Sequence, residues 1–523
     1  MPVGTTETEA GGLHTAVKGM SDEVKGMSLP SSPGSSKDAV AVAVDATVNI
    51  EQLVRRGEQY KLRFPEVNEA KLMRKIDLKV IPVLCVMYLL AYLDRVNIGN
   101  AVLFGLKEDL RLEGTQYNSA LVVFFIPYML FDIPFNALVK RLRPHVWLSM
   151  SMFLFGLLSV CQGLTQNLSG LVATRFFLGL VESGVFPACL YLISMWYRRA
   201  EAQKRYSFFF SSTTLGGAFG GLLASAIGKM DGLGGYRGWR WIFIVEGALT
   251  CAVSIALYFF ISDFPEEASW LTPEEREFVQ ARLREDVGES CRDDPLTVRS
   301  VLAVFKDVKI IIGGFMYLGL VCAGYSYAYF SPAIIQSLGH SSIRTQLISV
   351  PPWACACVVA MVVATISDHI RHRFLFVVSF TMLALAGYVM LLVVHDRPNV
   401  QYAALFLPAM GTYTAMPIAI CWFGINLGGH RRRAVGTAWQ IGFGSIGGII
   451  AVYSFLAKDS PRYIAGYSVC IAATCTSIIA DCAYFYAISR ENRRRRKEES
   501  ESSASAGSED EKGDLRRDYR YLL

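Results

Sequence analysis

Four ionisable residues stand inside apolar stretches of this chain. Asp94 and Arg95 are adjacent in LLAYLDRVNIGNA, and Arg175 and Glu182 lie seven residues apart in TRFFLGLVE. On a helix, that seven-residue spacing puts Arg175 and Glu182 on a similar face. Carboxylates and arginines at one level suit two tasks together. A carboxylate in a low-dielectric site can exchange a proton near neutral pH, and an arginine keeps its charge and can meet an organic anion. The alternative is a salt-bridge network that only locks two helices, and both readings stand at this point.

Length decides whether these charges lie in a membrane. Val80 to Leu93 is too short to cross a bilayer, which takes about 20 residues, so the first apolar segment continues past Asp94 and Arg95 to about Gly99. At 1.5 Å per residue the pair sits roughly 21 Å along a path of roughly 30 Å. The segment that holds Arg175 and Glu182 runs the opposite way and brings Arg175 to a similar depth, with Glu182 nearer the midplane. An ionisable group at the centre of a lone helix costs about 2.5–3.5 kcal/mol on insertion scales. These groups therefore face a partner or a water-filled cavity.

The segments that position them recur along the chain. Spanning cores are expected near 78–99, 117–138, 146–164, 170–194, 206–228 and 241–262, then 309–332, 346–367, 374–394, 402–425, 434–456 and 466–488. The expected fold is an all-α membrane protein with twelve transmembrane helices in two six-helix pseudo-repeats. Residues 1–70 read as a disordered region, with a short helix possible in the pattern NIEQLVRRGEQY; 71–262 and 309–488 are the two bundles. Between them, 263–308 is a charged, partly helical connection in which Thr272 and Glu275 form a capping box. Residues 489–523 read as a flexible tail. Arg205, Gly216 and Gly220 recur as Arg433, Gly444 and Gly448 at a constant offset of 228 residues, as a duplicated unit requires.

Composition agrees. Of 523 residues, 52% are hydrophobic and 18% charged, below the roughly 25% charged of soluble domains. The net charge of +6 falls in short clusters between apolar segments, with no basic face or motif for nucleic acid. KRLRPH, YRRAEAQKR, SDHIRHR and GGHRRR all occupy connections of one parity, whereas QGLTQN and HDRPNVQ carry little positive charge. The basic connections, both termini and the central loop are thus expected to face the cytoplasm. The 12 Cys are scattered and form no metal spacing, and no nucleophile–base set or phosphate loop marks an enzyme or calls for a cofactor.

Further candidates come from the second half. Tyr325, Tyr327 and Tyr329, with Trp422, Asn426 and Gln440, either line a cavity or serve as membrane-interface and packing residues. Asp368 with Arg371 and Arg373 reads as a gate or a brace. Asp132, Glu246 and Asp481 are weaker candidates for packing or gating.

Over about residues 72–488 the chain resembles the major facilitator superfamily, and within it the anion:cation symporter family and its fungal allantoate and nicotinate permease-like group. The resemblance rests on YLDRVNIGNA, RFFLGLVESGVFPACLYLISMWY, GWRWIFIVEG, DFPEEASWLTPEER, SPAIIQSLGHSSIRTQLISVPPW, CWFGINLGGHRRRAVGTAWQIGFGSIGGII and the terminal RDYRYLL. It implies that Asp94 and Glu182 are the proton-coupling carboxylates and that Arg95 and Arg175 meet or shape the site for a substrate carboxylate. The loop signature departs from the usual pattern at Asn136, Lys140 and His369, and Ser445 stands where Asn is usual. The resemblance thus implies a monomeric plasma-membrane symporter of a small organic anion and a proton. An exporter or uncoupled carrier, and a nutrient receptor that signals without transport, are the alternatives.

Overall fold

The computed structural model describes residues 64–139, 143–287, 302–370, 372–395, 397–428, 430–501 and 521. The expectations of disorder before residue 64 and of a helix at NIEQLVRRGEQY lie outside the described residues. The first half comprises α1 (Glu69–Val102), α2 (Gln116–Val139), α3 (Pro144–Gly163), α4 (Leu168–Glu182), α5 (Val185–Trp196), α6 (Arg199–Ile227) and α7 (Gly238–Phe260). A connecting helix, α8 (Pro273–Val287), follows. The second half comprises α9 (Val308–Ser337), α10 (Ser342–Ile370), α11 (Arg373–Val393), α12 (Pro398–Ile425), α13 (His430–Ser454) and α14 (Ile464–Glu501).

Taking α4 and α5 as one span, ten helical stretches among the described residues are long and apolar enough to cross a membrane. With α2 and α6 they complete the expected twelve. The sequence of α6, SFFFSSTTLGGAFGG, is rich in hydroxyls that the helix satisfies itself. Ser211 donates to the Phe208 carbonyl at 2.6 Å, Thr213 to Phe210 at 2.7 Å and Thr214 to Ser211 at 2.8 Å. Such internal bonds let a polar helix lie at membrane depth.

Three details differ from the sequence expectations. The span expected at 170–194 is present as Leu168–Trp196, with Ser183 and Gly184, both in right-handed helical backbone angles, forming a step between α4 and α5 directly after Glu182. The sequence GLVESGVF pairs a serine with a glycine there, a combination at which helices kink. The first span runs on to Val102. The expected tail from 489 begins as helix, because α14 continues to Glu501. Its charged run is held by Glu491, which accepts from Arg494 at 2.9 Å and Arg495 at 3.0 Å, the helical i,i+3 and i,i+4 spacings. The capping box of α8 forms as the pattern requires. The Thr272 N–H donates to Glu275 Oε2 at 3.1 Å, and the Glu275 N–H donates to Thr272 Oγ1 at 3.2 Å.

Within each half, small residues set how closely helices approach. A Cβ on Gly156 would lie 2.8 Å from the Cys251 nitrogen, and one on Gly247 2.7 Å from the Gly156 carbonyl oxygen, so α3 and α7 touch backbone to backbone. The halves meet where α6 packs on α10 and α12, and where α2 packs on α13. The repeated glycines do the same job twice. Gly216 of α6 seats Tyr92 of α1, and Gly444 of α13 seats Tyr317 of α9. The basic ends do comparable work at neighbouring positions: Arg205 grips Asp77 with two bonds of 2.9 Å, and Arg432, one residue before the repeat partner Arg433, meets Asp307, just before α9, at 2.5 Å.

Candidate functional site

Asp94, Arg95, Arg175 and Glu182 converge in the first half, each at most 2% exposed. Arg95 is the hub. Its Nε donates to Glu182 Oε2 at 3.1 Å and its Nη2 pairs with Glu182 Oε1, so α1 and α4 are joined by a two-point ion pair. Its Nη1 donates to the Tyr325 hydroxyl of α9, in the other half. The guanidinium also lies 5.4 Å from the ring centroids of Phe124 and Tyr128 and 6.0 Å from that of Tyr325. A desolvated guanidinium ringed by aromatic faces gains electrostatically from each of them. Arg175 is placed differently. Its Nη1 donates to the Arg95 carbonyl at 3.2 Å, whereas its Nε and Nη2 have no hydrogen-bond partner among the described residues.

The two acidic residues also occupy different settings. Glu182 is an ion-pair partner. Asp94 turns into its own half, where Thr250 of α7 donates to Oδ2 at 2.9 Å and Ser159 of α3 to Oδ1 at 3.5 Å. Glu246 lies on the same side of α1 and accepts from the Asn97 side chain. Asp132 of α2 is buried, its Oδ2 3.5 Å from where a Cβ on Gly442 of α13 would stand. Both Asp132 and Asp481 lack a hydrogen-bond partner among the described residues.

Of the second-half candidates, Tyr325 and Tyr329 belong to the hub. Their rings stack with centroids 5.5 Å apart, and Phe125 meets Tyr325 edge-on at 5.0 Å. Tyr329 is 2% exposed, which removes it from the membrane-interface alternative. Gln440 is buried in α13 with both amide atoms unpartnered among the described residues. Trp422 packs instead between Phe374 of α11 and Tyr484 of α14, inside the second half. Asn426 is buried at the C-terminal end of α12. Asp368 falls in the last turns of α10, Arg373 is buried at the start of α11, and Arg371 lies outside the described residues.

Several residues around the hub were not singled out from the sequence. Tyr92 of α1 and Tyr413 of α12 share a 2.8 Å hydrogen bond between hydroxyls across the two halves. Trp353 of α10 packs on Tyr413 at 4.7 Å and edge-on to Tyr327 at 5.1 Å. The signal for Tyr92 was present, since it lies one turn before Arg95 on the same face of α1. Nothing in SVPPWACA marks Trp353.

The halves are closed over this centre on the face opposite the basic connections. There Asn118 Nδ2 donates to the Val452 carbonyl at 2.6 Å, Gln346 to Asn100 at 3.2 Å and Ser342 to the Leu103 carbonyl at 2.9 Å. Toward the basic face, a cavity of about 30 Å³ lies between the halves, lined by Ser194, Tyr197, Tyr206, Gly424, Arg433 and Thr437 among others. That is far below the roughly 300 Å³ of small-molecule sites, so this cavity as it stands is too small for an organic cargo.

Residues 84–452 match the family model described as Major Facilitator Superfamily. The chain is 32% identical over 454 residues to an uncharacterized transporter of Schizosaccharomyces pombe, covering 86% of this chain and 90% of that protein. It is 31% identical to the MFS-type transporter cnsO of Penicillium expansum, covering 88% and 92%. The major facilitator-type transporter hxnP of Emericella nidulans is also 31% identical, covering 82% and 87%. Among solved structures, the proton:xylose symporter XylE superposes with a TM-score of 0.59 at 13% identity, over 78% of this chain and 96% of that one. A bacterial homologue of the human lysosomal transporter Spinster, inward-facing and occupied, gives 0.57 at 16% identity with the same coverage.

Proposed function

The chain belongs to the major facilitator superfamily and is a membrane transporter, and on that premise we propose that it takes up a small organic anion together with a proton by alternating access. The observation that carries the proposal is Arg95, held by Glu182 of its own half and by Tyr325 of the other. A carboxylate cargo entering between the halves competes with Glu182 for the one guanidinium. Once displaced, Glu182 would stand as a buried anion without its partner, a state costing several kcal/mol. Protonation relieves it. Anion binding and proton binding are then linked through Arg95, and the linkage is reciprocal. Asp94, held by Ser159 and Thr250 instead of an arginine, is the second proton-carrying group. Arg175, with two guanidinium nitrogens unpartnered, stands ready to share the anion when the helices shift.

In this reading, residues 71–262 and 309–488 rock against each other about the hub. The opposite-face bonds break and the basic-face cavity closes as the cycle turns. Asp368, Arg371 and Arg373 are proposed as the gate or brace of the basic face, and Tyr329, Asn426 and Gln440 shape the second half of the path, with Trp422 packed behind it. The charge pattern of the basic connections supports a cytoplasmic position for that face and both termini, and on this proposal the protein is a monomer of the plasma membrane.

The test is uptake of labelled nicotinate, allantoate or pantothenate by proteoliposomes with an imposed inward pH gradient. Accumulation should follow the gradient and collapse with an uncoupler. Asp94→Asn and Glu182→Gln should each lose gradient-driven accumulation while keeping counterflow exchange. Full accumulation in both variants would falsify the coupling assignment. Equilibration insensitive to the uncoupler would mark an uncoupled carrier instead.

A further inference from the structure

Tyr521 lies beyond the last helix, yet it is only 4% exposed. Its backbone is held at two points by one side chain. The Tyr521 N–H donates to Asn492 Oδ1 at 3.0 Å, and Asn492 Nδ2 donates to the Tyr521 carbonyl at 2.9 Å. Its ring sits between two cations, with Lys309 Nζ 4.4 Å and the Arg495 guanidinium 5.0 Å from the centroid. Its phenol oxygen accepts from Lys309 Nζ at 2.7 Å. Glu491 fixes Arg495 at 3.0 Å from one helical turn away. Backbone, ring and hydroxyl are thus each recognised, by residues from two helices that the ring joins.

Lys309 leads from this pocket toward the gap between the halves. Asp307 caps α9 by accepting the Lys309 N–H at 3.0 Å, and its Oδ2 lies 3.5 Å from Lys309 Nζ and 2.5 Å from Arg432 of α13. The ammonium is therefore shared between the phenol and Asp307. Arg433, next to Arg432, lines the cavity between the halves together with Tyr206. With Tyr521 in place the ammonium lies nearer the phenol, at 2.7 Å, than Asp307, at 3.5 Å, so Arg432 at 2.5 Å is the closer partner of that carboxylate. Without Tyr521, Lys309 turns fully to Asp307 and competes with Arg432 for the same carboxylate oxygen.

We propose that Lys309, Asn492 and Arg495 form a tyrosine-recognition site on the basic face, filled in cis by Tyr521, and that its occupancy sets how firmly Asp307 holds the start of α13 beside the cavity. The site would serve as a cis-acting brace that ties α9, α13 and α14 of the second half together beside the cavity, and it requires no assumption about the cargo.

Peptide-resolved hydrogen exchange on the purified full-length protein tests it. Tyr521→Ala should speed exchange about tenfold in the first turns of α9 and α13 and in 489–501, as loss of a bond to a charged group predicts. Lys309→Ala should give the same pattern, and the double variant no more than either, because the two residues act as one unit. Tyr521→Phe, which keeps the ring and the Asn492 bonds, should fall between. Adding the peptide DYRYLL to the Tyr521→Ala protein should restore protection, and DYRALL should not. Faster exchange confined to 489–501, with α9 and α13 unchanged, would overturn the proposal. So would strictly additive effects of the two substitutions.

Discussion

Among the described residues the first six spanning helices bury Asp94, Arg95, Asp132, Arg175, Glu182 and Glu246, whereas the last six bury Asp481 and, toward the basic face, Arg373 at the start of α11 and Arg495 near the end of α14. In the second half, Tyr325, Tyr327, Tyr329, Trp353 and Tyr413 form the surface that meets the charged centre. Yet the two halves share their scaffold. Gly216 on Tyr92 matches Gly444 on Tyr317, and Arg205 on Asp77 is echoed by Arg432 on Asp307. The packing positions have stayed alike while the chemistry has separated. Shape and hydroxyl contacts are cheap to vary within a bilayer, whereas a buried charge is costly unless it finds a partner, as Arg95 and Glu182 do in each other. Concentrating the charges in one half keeps their pairing internal while the other half moves past them.

The most severe way to break this division is Arg95→Ala. It strands Glu182 and should cost about 3–5 kcal/mol, read as a lower unfolding temperature in detergent together with lost uptake. Adding Glu182→Gln should return much of the stability and none of the uptake. Next comes Tyr325→Phe, which removes a bond to a charged group worth about 1.5–3 kcal/mol across the halves. Spin-label distances between the far ends of α2 and α13 should show the closed opposite face less populated, while unfolding within each half stays near wild type.

The repeated glycines sharpen the shared side of the comparison. Gly444→Ala drives a Cβ to 2.4 Å from the Tyr317 ring, while Gly216→Ala reaches only 3.2 Å from Tyr92. The first should destabilise by about 1–3 kcal/mol and the second by less, as thermal unfolding of the two variants would show. The smallest effect is expected from Tyr92→Phe, which leaves the Tyr413 bond to the Gly324 carbonyl in place. It loses one neutral hydroxyl bond between halves, about 1 kcal/mol, and should shift the same spin-label populations by about fivefold.

The depth of the charged cluster was readable because residue count along a helix converts directly to distance. Azimuth was not. Which side of α1 Asp94 faces depends on α3 and α7, and the Ser159 and Thr250 partners carry no mark in their own sequence. The bond from Arg175 to the Arg95 carbonyl was equally hidden, since any backbone oxygen can accept. The charged run after 488 read as a tail because its composition is soluble, but Glu491 and its two arginines have helical spacing. Trp353 and Tyr413 were missed because an aromatic residue in an apolar segment looks the same whether it faces lipid or a partner.

The step after Glu182 bears on all of this. Glu182 is the last residue of α4, next to the Ser183–Gly184 step, and Arg175 sits about 10 Å farther along α4 at 1.5 Å per residue. A tilt of α4 by about 10° would swing Arg175 by about 2 Å, on the same helical rise, while Glu182 hardly leaves its place. Flexing at the Ser183–Gly184 step would thus move the Arg175 cation relative to the path while the Arg95–Glu182 pair stays near its place.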